Sequence, residues 1–196
     1  MGKFKRIDTN IEGVCIIEPT IYGDDRGYFF ESYEKSDFEK IGINGDFVQD
    51  NQSRSKKGVL RGLHFQKFHS QAKIVRCIKG KVFDVAVDLR PGSKTYGKWE
   101  GVILSEENKK MFYIPRGFAH GFLVLSDEAE FCYKVDDIYD FKSEGGLVWN
   151  DPDINIDWPN VEGFENRNYI TSEKDEKWPN INELKKTNLF EEYRVN

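Results

Sequence analysis

Between Val59 and Tyr139 the chain reads as a succession of short apolar segments in which buried-type and polar residues alternate at a period of two. That period belongs to strands with one face packed inward. Ile74 to Ile78 and Val82 to Leu89 flank Lys79-Gly80, a tight-turn signal. Trp99 to Leu104, Met111 to Ile114, His120 to Leu125 and Glu130 to Ile138 read as further strands, and their spacing predicts an antiparallel barrel or sandwich. Helical signals are few. Ser36-Asp37-Phe38-Glu39 reads as a capping box with Gly42 as the stop, and a short helix is expected from Ile181 to Lys186. No repeat, low-complexity tract or linker divides the chain, so residues 1–196 are expected to form a single domain, mainly β with a few short helices.

Alternation also says which side chains share a face. His120 groups with Phe122 and Val124, and Tyr133 with Phe131 and Val135. Polar groups set among apolar neighbours fit a barrel interior that holds a ligand. In Val59 to Phe65, strict alternation puts Arg61 and His64 on opposite faces, unless Gly62 marks a bulge that re-aims one of them.

Composition narrows the function classes. Fifteen Phe, nine Tyr and four Trp suit strands. A net charge of -5 argues against a general nucleic-acid binder but leaves room for a basic pocket. No run approaches the ~20 apolar residues of a membrane span. The segment Met1 to Arg6 has no apolar signal core behind its charges, and Arg6 stands where a myristoylation motif needs Ser or Thr. Cys15, Cys77 and Cys132 are isolated, which implies no disulfide framework and a reduced, cytoplasmic setting.

Of three histidines, His64 and His120 lie in strand-like segments. A buried imidazole needs partners for its ring nitrogens and titrates near neutrality. For His64 three roles fit: an inert hydrogen-bonded core residue, a metal ligand, or a general base oriented by a carboxylate. The metal role lacks the usual neighbouring His or Cys pair. Tyr133 fits a core tyrosine, Lys73 a snorkelling lysine or one aimed into a pocket, and Arg26 a turn residue paired with an aspartate.

The runs Gly23-Asp24-Asp25-Arg26-Gly27-Tyr28-Phe29-Phe30-Glu31, Phe47-Val48-Gln49-Asp50-Asn51, Arg61-Gly62-Leu63-His64-Phe65-Gln66, Lys73-Ile74-Val75-Arg76-Cys77, Asp84-Val85-Ala86-Val87-Asp88-Leu89-Arg90, Ile114-Pro115-Arg116-Gly117-Phe118-Ala119-His120-Gly121-Phe122 and Trp149-Asn150-Asp151-Pro152 carry more than any residue alone. In this order and spacing, from about Ile11 to Pro179, the sequence closely resembles the dTDP-4-dehydrorhamnose 3,5-epimerase family of the cupin superfamily. The resemblance implies a cupin-type antiparallel jelly roll and a homodimer with strand exchange near the N-terminus. It also implies a site without metal or other cofactor, and a dTDP-sugar substrate of dTDP-rhamnose biosynthesis. The family base falls on His64, its carboxylate partner on Asp175 and its proton donor on Tyr133. Lys73 falls where the enolate is stabilised, and Arg26, Glu31, Gln49, Asn51, Arg61, His120, Glu144 and Lys174 fall on ligand contacts. Relatives that invert only C3 or only C5, ketoisomerases, and a non-catalytic sugar-nucleotide-binding cupin are the alternatives that the same resemblance leaves open.

Overall fold

The computed structural model describes residues 2–195; Met1 and Asn196, the ends of the expected 1–196 unit, lie outside the described residues. Among the described residues thirteen strands run in chain order: β1 (Phe4–Asp8), β2 (Cys15–Pro19), β3 (Tyr22–Asp24), β4 (Gly27–Phe29), β5 (Gln49–Lys56), β6 (Leu60–Gln66), β7 (Lys73–Lys79), β8 (Lys81–Asp88), β9 (Trp99–Ser105), β10 (Met111–Ile114), β11 (Phe118–Val124), β12 (Glu128–Val135) and β13 (Glu144–Gly146). Two short helices accompany them, α1 (Lys35–Lys40) and α2 (Ile181–Leu184). A six-stranded sheet has the order β1-β2-β10-β7-β12-β5, a five-stranded sheet the order β13-β6-β11-β8-β9, and β3-β4 is a separate hairpin. Every strand pair within these sheets is antiparallel. This is the antiparallel β architecture that the strand spacing predicts and the cupin-type jelly roll that the family resemblance implies. Among the described residues no helix is long and apolar enough to cross a membrane.

Three apolar clusters explain the layering. Between the sheets lie Val75, Phe112 and Phe131 from the larger sheet against Val82, Ala86, Val102, Phe122 and Val124 from the smaller. The outer face of the smaller sheet, with Leu63, Phe65, Val85 and Leu123, is covered by the C-terminal segment through Ile154, Trp158, Ile181 and Phe190. The outer face of the larger sheet, with Ile17, Ile74 and Met111, is covered by Phe38 of α1 and by Ile43. β8 is buried on both faces beyond its first residue, which is why it reads as an almost continuous apolar run.

Three expectations need correction. Glu34, not Ser36, caps α1: its carboxylate accepts from the Asp37 amide at 2.8 Å and the Ser36 amide at 3.2 Å. A carboxylate reaches both free amides and adds charge at the positive end of the helix, so it displaces the weaker hydroxyl cap. β12 stops at Val135 rather than Ile138: beyond it the Asp136 side chain accepts from the Ala72 amide at 2.7 Å and from Arg116 Nε at 2.9 Å, where the chain turns into the loop before β13. α2 ends at Leu184, two residues short of Lys186; its start carries a capping box between Asn180 and Glu183.

The feature that shapes the site is a bulge in β6. His64 pairs with His120 and Arg61 with Phe122, so Gly62 and Leu63 together oppose Gly121. Cross-strand partners share a face. Arg61 and His64 therefore both join the inward face of His120 and Phe122, while Leu63 turns outward into the C-terminal layer. Gly62 has φ +127°, and a Cβ there would meet Gly121 Cα at 2.7 Å and the His120 carbonyl oxygen at 2.8 Å. Gly62→Ala is expected to destabilise the fold by roughly 1–3 kcal/mol. The check is the denaturant midpoint; a midpoint unchanged from wild type would mean that the bulge can relax without cost.

Candidate active site

A cavity of ≈ 340 Å³ lies between the sheets, lined by Gln49, Asn51, His64, Phe65, Gln66, Gln71, Lys73, Tyr133, Tyr139 and Glu144. Strand register places them. Tyr133 on β12 pairs with Asn51 on β5 and Val75 on β7, and Val135 pairs with both Gln49 and Lys73. These residues build the wall of the six-stranded sheet. His64 on β6 pairs with His120 on β11 and Gly146 on β13, and Gln66 pairs with Glu144. Those build the facing wall. His64 and Tyr133 thus stand on opposite sheets across one cavity.

His64 Nε2 lies 2.6 Å from Asp175 Oδ1. The carboxylate is only 4% exposed. Burial acts to raise its pKa, but the hydrogen bond and charge of His64, the Gly62 amide and the Ser172 hydroxyl outweigh burial and hold it below the usual carboxylate range. An ionised Asp175 accepts only, so neutral His64 carries its hydrogen on Nε2 and keeps the Nδ1 lone pair free. This is the geometry of an oriented general base. It closes a gap of 111 residues in sequence.

Behind this pair lies a second one. His120 Nε2 sits 2.9 Å and 3.0 Å from the two oxygens of Asp84, and both residues are buried. Burial lowers the His120 pKa, against the pull of Asp84, and raises that of Asp84, against His120 and Lys73. The direction at His120 favours a neutral imidazole. Lys73 completes the group: desolvation pulls its pKa down to about 8, opposed by the Asp84 charge. Burial raises the Tyr133 pKa, opposed by the Arg61 guanidinium, so the phenol stays protonated at neutral pH.

Other expected residues fall in place around this core. Lys174 Nζ pairs with Glu144 at 2.5 Å on the rim. Arg61 Nε donates to Ser55 Oγ at 2.9 Å. Two residues are not brought in: Arg26, at the tip of the β3–β4 hairpin, pairs with Asp24, and Glu31 pairs with Lys3 at 2.7 Å. Neither lines the cavity of its own chain. Sequence reasoning missed Asp84, Gln66, Gln71, Tyr139, Ser55 and Trp178. Asp84 had a readable signal, since a lone carboxylate between Val82 and Ala86 on a buried face requires a partner. Among the described residues no three His, Cys, Asp or Glu side chains are grouped as ligands of a metal ion.

Residues 8–183 match the protein family described as dTDP-4-dehydrorhamnose 3,5-epimerase. The chain is 55% identical to the dTDP-4-dehydrorhamnose 3,5-epimerase of Escherichia coli over 186 residues, 94% of this chain and 98% of that protein. It is 51% identical over 183 residues to the enzyme of the same name from Methanothermobacter thermautotrophicus, covering 93% of this chain and 97% of the other. The crystal structure of a dTDP-6-deoxy-D-glucose-3,5-epimerase from Legionella pneumophila in complex with dTDP-4-keto-L-rhamnose shares the fold with a TM-score of 0.89 at 48% identity, covering 98% of this chain and 99% of that one. With the two-walled cavity and the buried His64–Asp175 pair, these likenesses place the chain in the dTDP-4-dehydrorhamnose 3,5-epimerase family of isomerases.

Proposed function

We propose that the chain converts dTDP-4-dehydro-6-deoxy-D-glucose to dTDP-4-dehydro-L-rhamnose by inverting C3 and C5 without a metal, in the supply of dTDP-L-rhamnose. The observation that carries this reading is the pairing of an oriented imidazole with a phenol on the opposite wall of one cavity. A ketone at C4 acidifies the hydrogens at C3 and C5. His64 Nδ1 removes one of them, and Asp175 stabilises the imidazolium that forms. Charge then develops on the C4 oxygen. The Lys73 ammonium is the cationic donor for that oxygen, and His120, held by Asp84, is a neighbouring ligand contact. Tyr133 returns a proton from the other side, which inverts the centre. The roles of Gln49, Asn51, Glu144 and Lys174 in this reading are contacts to the nucleotide and sugar. Arg61 takes the diphosphate through charge-assisted hydrogen bonds.

A homodimer completes the reading. Arg26 and Glu31 are outside their own cavity, and the hairpin that carries Arg26 exposes Tyr22, Tyr28 and Phe29. Exchange of this hairpin with a second copy gives Arg26 a route to a diphosphate and covers the apolar side chains. Cytoplasmic residence is supported by the free thiols of Cys15, Cys77 and Cys132.

In heavy water the wild type is expected to place deuterium at both C3 and C5 of the product, read by NMR of the sugar. Deuterium at one carbon only would make it a mono-epimerase. His64→Ala is expected to lose ~10²–10⁴-fold in turnover while circular dichroism shows an intact fold. Wild-type turnover by the folded variant would remove His64 from the role of base.

Tyr133→Phe tests the opposite wall. It keeps the base and Lys73, so exchange of substrate hydrogens should continue while epimerised product falls sharply. Full inversion at the wild-type rate would show that water or another group delivers the proton.

Lys73 sets the alkaline limit. Its ammonium must be charged to stabilise the enolate, and it loses its proton near pH 8 rather than in the usual lysine range. Turnover should therefore decline as pH rises through about 8. In Lys73→Arg the guanidinium stays charged, so the same decline should vanish from whatever activity remains. An alkaline limb unmoved in this variant would belong to another group.

A further inference from the structure

Trp178 is an aromatic residue in contact with the His64–Asp175 pair that the mechanism leaves unused. Its indole Nε1 donates to Asp175 Oδ1 at 3.3 Å, the same oxygen that accepts from His64 Nε2. Its ring meets the His64 ring edge-on, with centroids 6.4 Å apart and planes at 76°. The Lys174 ammonium lies 5.8 Å from its ring centroid, and Lys174 in turn holds Glu144 at the cavity wall. The indole has a built seat: a Cβ on Gly146 would lie 2.5 Å from indole Cδ2, Cε2 and Nε1. Gly146 is the β13 partner of His64, so the missing side chain leaves room for the ring beside the histidine. The chain is pinned one residue later, where the Val148 amide donates to the Pro179 carbonyl at 3.0 Å.

We infer that Trp178 is a positioning residue: seated on Gly146, it fixes the Asp175 carboxylate and the His64 ring in the one orientation that keeps Nδ1 aimed at the substrate. This inference rests on the epimerase reading above. A carboxylate oxygen with two donors has less freedom to rotate than one with a single donor. The indole plane limits the tilt of the imidazole from its edge. Neither effect places Trp178 on the substrate, so its removal should change the chemical step and leave binding nearly alone.

Trp178→Phe keeps an aromatic ring on Gly146 and deletes the N–H. Its kcat is expected to fall about 3–10-fold, the equivalent of one ordinary hydrogen bond, with KM within about twofold of wild type. The low-field proton resonance of the His64–Asp175 hydrogen bond should shift or broaden in this variant while the melting temperature stays near wild type. Gly146→Ala, which removes the seat and leaves Trp178 intact, should reproduce the loss in kcat. If Trp178→Phe and Trp178→Ala both keep wild-type kcat and an unchanged low-field proton, Trp178 is a packing residue and the inference fails. That outcome is distinct from failure of the epimerase reading itself, in which the wild type would show no exchange at C3 or C5.

Discussion

Gly62 and Gly121 approach so closely that neither tolerates a side chain, and this contact decides what the inner wall of the smaller sheet can carry. In an unbroken strand, residues three apart lie on opposite faces. Arg61 would then face the C-terminal layer, where an unpaired guanidinium is costly to bury, or His64 would leave the cavity. The bulge resolves this by spending two residues of β6 against one of β11. Leu63 takes the outward position and is fully buried there, so the distortion is anchored by apolar packing. The same local geometry points the Gly62 amide at Asp175 Oδ2, 3.4 Å away. One backbone irregularity thus orients the histidine, frees the arginine and supplies a donor to the carboxylate.

The buried charges behind the cavity follow from the same economy of space. Asp84 has no exposure and its site cannot be solvated, so it requires His120 and the nearby Lys73. In return, the lysine is held where desolvation weakens its hold on the proton. A cation in that state interacts more strongly with charge that develops beside it than a solvated one does. The acidic net charge of the whole chain has no bearing on this balance, because exposed carboxylates are screened within roughly a Debye length of about 8–10 Å.

How much of this could be read in advance depended on whether a residue's partners were apolar. The strands that fill the core were legible, since Val82 to Leu89 and Met111 to Ile114 show their burial in composition. The faces of β11 and β12 were legible for the same reason: His120 does share a side with Phe122 and Val124, and Tyr133 with Phe131. β5 was not. Its sequence, Gln-Asp-Asn-Gln-Ser-Arg-Ser-Lys, contains no apolar residue, because its inner face lines a polar cavity and its outer face meets water. The short strands β3 and β4 were hidden because their hairpin has no core of its own. The Ser36 cap failed because a glutamate two residues earlier competes for the same amides. The link between His64 and Asp175 is invisible to any local pattern and came only from family resemblance.

That link also explains why the C-terminal segment is more than a cover. Asp175 sits on no strand of either sheet; it is carried by a turn closed by the Asp175 and Glu176 amides on Ser172, the Lys177 amide on the Lys174 carbonyl and the Trp178 indole back to the carboxylate. The turn is located by what flanks it. Before it, the Ile170 amide donates to the Gly58 carbonyl and the Leu60 amide donates to the Ile170 carbonyl, tying the segment to the start of β6. After it, Asp151 accepts from the Ile181 amide at 2.6 Å, and Ile181 and Leu184 enter the same cluster as Leu63 and Phe65. The carboxylate is therefore held by the packing on the back of β6 while the imidazole is held by the strand itself. The packing of that outer layer thus helps to set the geometry of the base, although its side chains Ile181 and Leu184 do not line the cavity.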